Sequence, residues 1–144
     1  MNRFKMIASG YLMLIKRGRI LLLRRYQTGY EDGKYSLPAG HVEDNEELRV
    51  STCREIKEEI GISLRPRDLK LVHVMHRKEE DIRMDFFFIT PRRGLEPKNT
   101  EPQKADDLRW FSINQLPVNT VPYIRAAIEN YRRHVFYSEF GWKK

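Results

Sequence analysis

Apolar and polar positions alternate along this chain in blocks that outline its elements. Residues 5–15, KMIASGYLMLI, read as a strand of mixed burial, and Lys16-Arg17-Gly18-Arg19 as the turn that follows. Ile20-Leu21-Leu22-Leu23 is a continuous apolar run, the pattern of a buried strand. Residues 27–34, QTGYEDGK, are polar and contain glycine, hence a loop; Tyr35-Ser36-Leu37 is a short strand ended by Pro38. From about Asn45 to Ile60 the period changes, with Leu48, Thr52, Ile56 and Ile60 recurring at spacing four along one side of a helix. Asp44 with Glu47 reads as a capping box, and Gly61 suits the C-terminal stop.

Residues 69–76 (LKLVHVMH) and 84–90 (MDFFFIT) read as strands joined by the charged turn RKEEDI, and residues 108–111 as another short strand. Residues 122–132 form a second helix with Ile124, Ala127, Ile128 and Tyr131 on one side. Strands dominate and two helices flank them, which predicts an α/β (α+β) fold with a mixed sheet between helices. No internal repeat, low-complexity tract or interdomain linker interrupts the pattern, so residues 1–144 are read as a single domain.

Composition changes this picture little. Hydrophobic residues make up 40% of the 144 positions, enough for a real core. No run of about 18 apolar residues suggests a membrane span, and the opening apolar run continues into a strand pattern instead of a signal peptide. Cys53 is the single cysteine, which excludes an intrachain disulfide and fits a reducing cytoplasm. It reads as a packed small residue. His41, His73, His76 and His134 lack ligand spacing. Lys plus Arg number 27 against 20 Asp plus Glu, a net charge of +7 that favours polyanionic partners. The bases come in scattered pairs, the pattern of a solvated surface, so the signal for nucleic acid is weak.

The chemistry is suggested by REIKEEIG, residues 54–61. Glu55, Glu58 and Glu59 stand at i, i+3 and i+4, where like charges are surface neighbours and destabilise a helix. Glu55 and Glu59 border the buried stripe, so these acids face the body of the protein. Carboxylate oxygens suit hard cations, and a bound cation would turn the repulsion into a site. Taken alone, EIKEE is more often the pattern of a solvated helix whose acids pair with Arg54 and Lys57.

The wider context is more specific. From Gly40 the chain reads GHVEDNEELRVSTCREIKEEIGI: glycine, five residues, Glu46, seven residues, Arg54-Glu55, then Ile56, one residue, Glu58-Glu59, one residue, Gly61 and Ile62. Over these 23 residues every defined position resembles the signature box of the Nudix hydrolases. Leu37-Pro38-Ala39-Gly40 resembles the usual entry to that box, and the flanking elements fit the family's order. The resemblance implies an α/β/α sandwich and a loop–helix–loop that holds a divalent metal, Mg²⁺ or Mn²⁺ in its place, against a diphosphate. Glu55, Glu58, Glu59 and the Gly40 carbonyl are then the expected metal contacts, with Glu55 alternatively the general base. Arg54 would orient the acids and Glu46 support the loop. The implied reaction is hydrolysis of a nucleoside diphosphate joined to another group.

Outlying residues extend the resemblance. Arg24 or Arg25 stands where MutT-type members carry a phosphate-binding arginine. A downstream carboxylate often joins the metal site, and Glu101, Asp106 and Asp107 are equal candidates. Asn119, in LPVNTVPYI, resembles a purine-reading asparagine and equally suits a helix cap before Pro122. NTEPQK followed by tryptophan partly resembles a loop of guanine nucleotide diphosphatases, with Ala105 where those often have cysteine. Phe86, Phe87, Phe88 and Trp110 could stack a base, although strand alternation turns Phe87 away from its neighbours and favours core packing. The expected function is a nucleoside triphosphate pyrophosphohydrolase, with dGTP or its oxidised form the first substrate to consider. The alternatives are another diphosphate derivative (ADP-ribose, a nucleotide sugar, a dinucleoside polyphosphate or capped RNA) and a non-catalytic nucleotide- or RNA-binding module. Dimers are frequent in the family, but no segment here marks an interface.

Overall fold

A computed structural model describes residues 2–143. The elements are β1 (Ile7–Leu12), β2 (Ile15–Lys16), β3 (Arg19–Arg25), β4 (Tyr35–Ser36), β5 (Ala39–His41), α1 (Leu48–Ile60), a 3-10 turn (Pro66–Asp68), β6 (Lys70–Lys78), β7 (Ile82–Ile89), β8 (Ala105–Ser112), α2 (Pro122–Arg132) and β9 (Tyr137–Phe140). The strands form two sheets rather than one. A mixed five-stranded sheet runs β5-β1-β7-β6-β9; in the second, β3 is flanked by β2 and β4 on one edge and by β8 on the other. β1 lies parallel to β7 and antiparallel to β5, with Gly10 opposite Gly40.

Strand alternation feeds two cores. Tyr11 and Met13, Ile20 and Leu22, and Phe87 pack with Ile124, Ala127 and Ile128 of α2. Their neighbours Leu12 and Leu14, Leu21 and Leu23, and Phe88 pack with Ile56 and Ile60 of α1. The two-residue period therefore makes both faces of each run apolar, and every such large side chain contributes about 1.5–3 kcal/mol on burial. The sheets thus lie between two helices, as the alternation in FFF predicts for Phe87.

Several boundaries differ from the expectation. The first strand divides after Leu12, and its two parts join different sheets. The Asp44/Glu47 capping box does not form: α1 starts one turn later, with Glu47 at its N-cap and no side-chain cap bond. Gly61 does end α1, with φ of 71° and its N–H donating to the Lys57 carbonyl. The charged turn contracts to residues 79–81, because Arg77 continues the buried face of β6 begun by His73 and Met75. β5 and β9 were not anticipated; each has four residues or fewer and carries little apolar pattern.

Candidate active site

The acids sit where they do because α1 meets bare backbone. Gly10 and Gly40 are cross-strand partners on β1 and β5. A methyl group at Gly10 would overlap the Thr52 side chain, and one at Gly40 would overlap Cβ, Cγ and Cδ of Glu55. Only glycine lets the helix come this close. Ser51 Oγ donates to the His41 carbonyl at 3.0 Å, tying the helix to β5 from a neighbouring position.

Within this seat Glu59 reaches under the loop before β5 and accepts the Ala39 N–H at 2.8 Å. Burial pushes its carboxyl up to about 8, reinforced by the charges of Glu55 and Glu101 and opposed by the Ala39 bond and Arg25. Burial also raises Glu55, with Arg54 pulling the other way. Arg54 grips Glu46 through Nε and Nη2, both at 2.9 Å, and holds Glu55 through Nη1 at 2.9 Å. That fork lowers Glu46 and fixes the direction of Glu55. Glu58 is the outermost of the three, 3.6 Å from Arg54 and half exposed.

The C-terminal end of α1 is closed by residues 98–100. Lys98 N–H donates to Ile60, Thr100 N–H to Glu59 and Thr100 Oγ1 to the Glu58 carbonyl. These bonds satisfy carbonyls that a helix end leaves open, and they carry Glu101 to the acids. Glu101 and Glu59 line one cleft of about 380 Å³ with Arg25, Thr28 and Lys104. Of the three downstream candidates it alone lines this cleft. Asp106 is paired with Arg24 at 2.7 Å, and Asp107 is taken by Tyr35 and Arg109.

Strand parity separates the two arginines in the same way. Arg25 faces the acidic cleft, its guanidinium steadied by the Tyr30 carbonyl and Thr28, with no ion pair among the described residues. Arg24 points elsewhere, to Asp106 and the Tyr35 ring. Asn119 is not brought to the cleft, and it caps nothing. Its side-chain amide donates to the Gly33 carbonyl at 2.9 Å, and Val121 occupies the N-cap of α2. Trp110 lies toward the far end of the β3–β8 ladder, opposite Leu21.

A second cleft, of about 270 Å³, shares Arg25 and is lined by Gly40, Tyr30, Arg77, Arg83 and Tyr123. It contains a buried charge cluster that the sequence reading missed. Arg77, 1% exposed, donates to Asp85, 0% exposed, through Nε at 2.6 Å and Nη2 at 3.3 Å. Tyr11 donates to Asp85 at 2.8 Å, and the Arg77 guanidinium lies 3.6 Å from the centre of the Tyr123 ring. Arg77 Nη1 is 2.7 Å from Glu79 but off the hydrogen-bond axis. The available signal was a lone aspartate in a phenylalanine run, at the buried parity of its strand.

Residues 5–131 match the family model described as NUDIX domain. This chain belongs to the Nudix family. It is 27% identical over 116 residues to an NAD-capped RNA hydrolase, NudC, of Stutzerimonas stutzeri, covering 81% of this chain but 40% of that protein. It is 30% identical over 106 residues to an 8-oxo-dGTP diphosphatase of Buchnera aphidicola, covering 70% of this chain and 79% of that one. A crystal structure of a MutT NUDIX hydrolase from Burkholderia pseudomallei is similar at a TM-score of 0.78 and 28% identity, covering 88% of this chain and 98% of that chain. The chain thus spans well under half of the NudC relative and most of the two shorter proteins. In this Nudix frame the donor set around Gly40 is all oxygen, the chemistry of Mg²⁺. Among the described residues no group of three or more acidic, histidine or cysteine side chains is arranged to hold a metal ion.

Proposed function

We propose that this chain is a divalent-cation-dependent hydrolase of nucleoside diphosphate derivatives that cleaves a nucleoside triphosphate to nucleoside monophosphate and pyrophosphate. The observation that carries the reading is the set of facing acids beside Gly40: Glu59 has no ion pair among the described residues, and Glu55 and Glu101 raise its proton affinity. Glu55, Glu58, Glu59 and the Gly40 carbonyl would hold the cation, which when bound neutralises phosphate charge and acidifies water. Glu101 would be the downstream carboxylate that joins them, a reading supported by the cleft it lines with Glu59. Arg25 would bind a phosphate group at the junction of the two clefts, and Arg54 would keep Glu55 in register.

Hydrolysis requires a water oxygen to bond to phosphorus while the anhydride oxygen leaves with pyrophosphate. The water proton must go to a base, and Glu55 and Glu59 are the carboxyls whose proton affinity the fold raises. The nucleoside would occupy the cleft lined by Tyr30 and Tyr123. Asn119 lies outside both clefts, so selectivity for guanine is not assigned to it. dGTP and its oxidised form remain the first substrates to test, supported by the 8-oxo-dGTP diphosphatase relative.

A second reading, hydrolysis of a capped RNA end, is favoured by the NudC relative. Chromatographic product analysis with Mg²⁺ across nucleoside triphosphates, ADP-ribose and capped RNA decides between them. Pyrophosphate from a triphosphate supports the first reading. Absence of any Mg²⁺-dependent product, or full turnover by both Glu58→Gln and Glu59→Gln, refutes hydrolysis by these residues.

A further inference from the structure

A surface at the other end of the β3–β8 ladder is built in the opposite charge. Two adjoining hollows, of about 380 and about 460 Å³, share Lys16, Arg17 and Trp110 in their walls. Arg92 and Arg93 line the first and Arg19 the second, and no acidic residue lines either. Arg92 is held by Asp68 at 3.2 Å, while Lys16, Arg17, Arg19 and Arg93 make no ion pair among the described residues. Arg24, Arg54, Arg77, Arg83 and Arg109, by contrast, each have a carboxylate. Unbalanced cations gathered around one indole repel each other, and a polyanion relieves that repulsion.

We propose that these hollows bind single-stranded nucleic acid, with an unpaired base stacked on Trp110 and phosphates on Lys16, Arg17, Arg19 and Arg93. A concave basic surface with an aromatic ring in its wall is the arrangement that tracks a single strand, since every base has a face to stack. A duplex hides those faces. A lipid surface calls instead for protruding apolar side chains; the leucines lining the first hollow do not protrude, Leu14 being buried and Leu95 half-buried.

The placement relates the surface to the acids. Trp110 and Leu108 oppose Leu21 and Leu23, so all four share one face of the ladder. Arg19 and Arg25 mark its two ends, six residue steps apart, or about 20 Å at strand rise. The segment from Arg92 to Glu101 leaves the first hollow and ends in the acidic cleft. A strand held at Trp110 could thus present its end to the acids. The inference stands apart from the hydrolysis proposal, because binding needs neither cation nor turnover.

The test uses Trp142→Phe protein, in which Trp110 is the only tryptophan, titrated with a 12-nucleotide RNA and followed by indole fluorescence and by anisotropy of a labelled copy. The expected results are saturable quenching and a slope of log affinity on log salt of about −3 for four phosphate contacts. Lys16→Glu with Arg93→Glu should weaken binding at least tenfold, with unchanged melting temperature and nucleotide hydrolysis. Trp110→Leu should lose the stacking part while keeping most of the salt slope. The proposal is overturned by absence of binding at low salt, by unchanged affinity after the charge reversals, by equal binding of a duplex, or by quenching with phosphatidylserine vesicles and not with RNA.

Discussion

Two clusters of charge, one buried around Arg77 and Asp85 and one half-buried around Glu59, are handled in opposite ways. Around Arg77, opposite charges meet at hydrogen-bond distance: Asp85 takes a forked bond from the guanidinium and another from Tyr11. Around Glu59, like charges meet, and a single backbone N–H is the direct compensation. Both clusters are desolvated, so both carry a cost in the folded chain. In the first, fold-internal partners offset that cost. In the second it persists, and a bound cation and phosphate would remove it. The contrast teaches that a buried charge marks a site by the absence of its partner rather than by its burial.

That difference can be broken experimentally, and the largest effect is expected on the uncompensated side. Glu59→Gln should lower turnover by about 10³-fold or more, while the melting temperature stays or rises because a repulsive buried acid is gone. Calorimetry beside steady-state kinetics checks both halves. A melting temperature that collapses with activity would show that Glu59 is structural.

Asp85→Ala should do the reverse. It leaves Arg77 buried without its partner, which costs about 3–5 kcal/mol in unfolding free energy. Replacing Arg77 and Asp85 together by Met and Leu should recover much of that loss. Urea unfolding of the three proteins tests the prediction; equal stability of Asp85→Ala and wild type would contradict the view of this pair as mutually dependent.

Gly40→Ala comes next. Its methyl group must displace Glu55, and a shift of about 1 Å at such a group costs about 10²-fold in rate. Measured kcat should fall, with a circular dichroism spectrum like that of the wild type. Gly10→Ala should have a similar effect through Thr52 on the same helix.

The smallest effect tests a third way of burying a titratable group, by keeping it neutral. His73 is fully buried; one ring nitrogen lies 2.8 Å from the Val135 carbonyl and the other 2.8 Å from Ser138 Oγ. Burial lowers its proton affinity below the ordinary value, with the Val135 bond opposing. The folded state therefore binds fewer protons than the unfolded chain just below the ordinary histidine pKa near 6.5. Its contribution is complete above that pH and declines as pH falls through the interval beneath it. Urea midpoints at pH 7.5 and 5.5 should differ more for wild type than for His73→Gln.

The legibility of the sequence follows the same divide. α2 was readable at residues 122–132 because its apolar spacing is local, and α1 ended at Gly61 for a backbone reason that any sequence displays. That Glu55, Glu58 and Glu59 share the helix α1 was readable because the spacing of the apolar stripe beside them is local. Arg77 was placed in a charged turn because its partner Asp85 becomes visible only once β6 and β7 pair. Glu101 could not be separated from Asp106 and Asp107 without the pairing of β3 with β8, which hands the other two to Arg24, Tyr35 and Arg109. Asn119 shows how a side chain able to read a base edge can equally bind a turn carbonyl.

Gly10 and Gly40 let α1 settle close to the sheet, bare main chain against the Thr52 and Glu55 side chains. The clefts on either side can be rebuilt for new molecules while the acids keep their alignment. Two missing methyl groups thus separate what this scaffold can vary from what it must hold still.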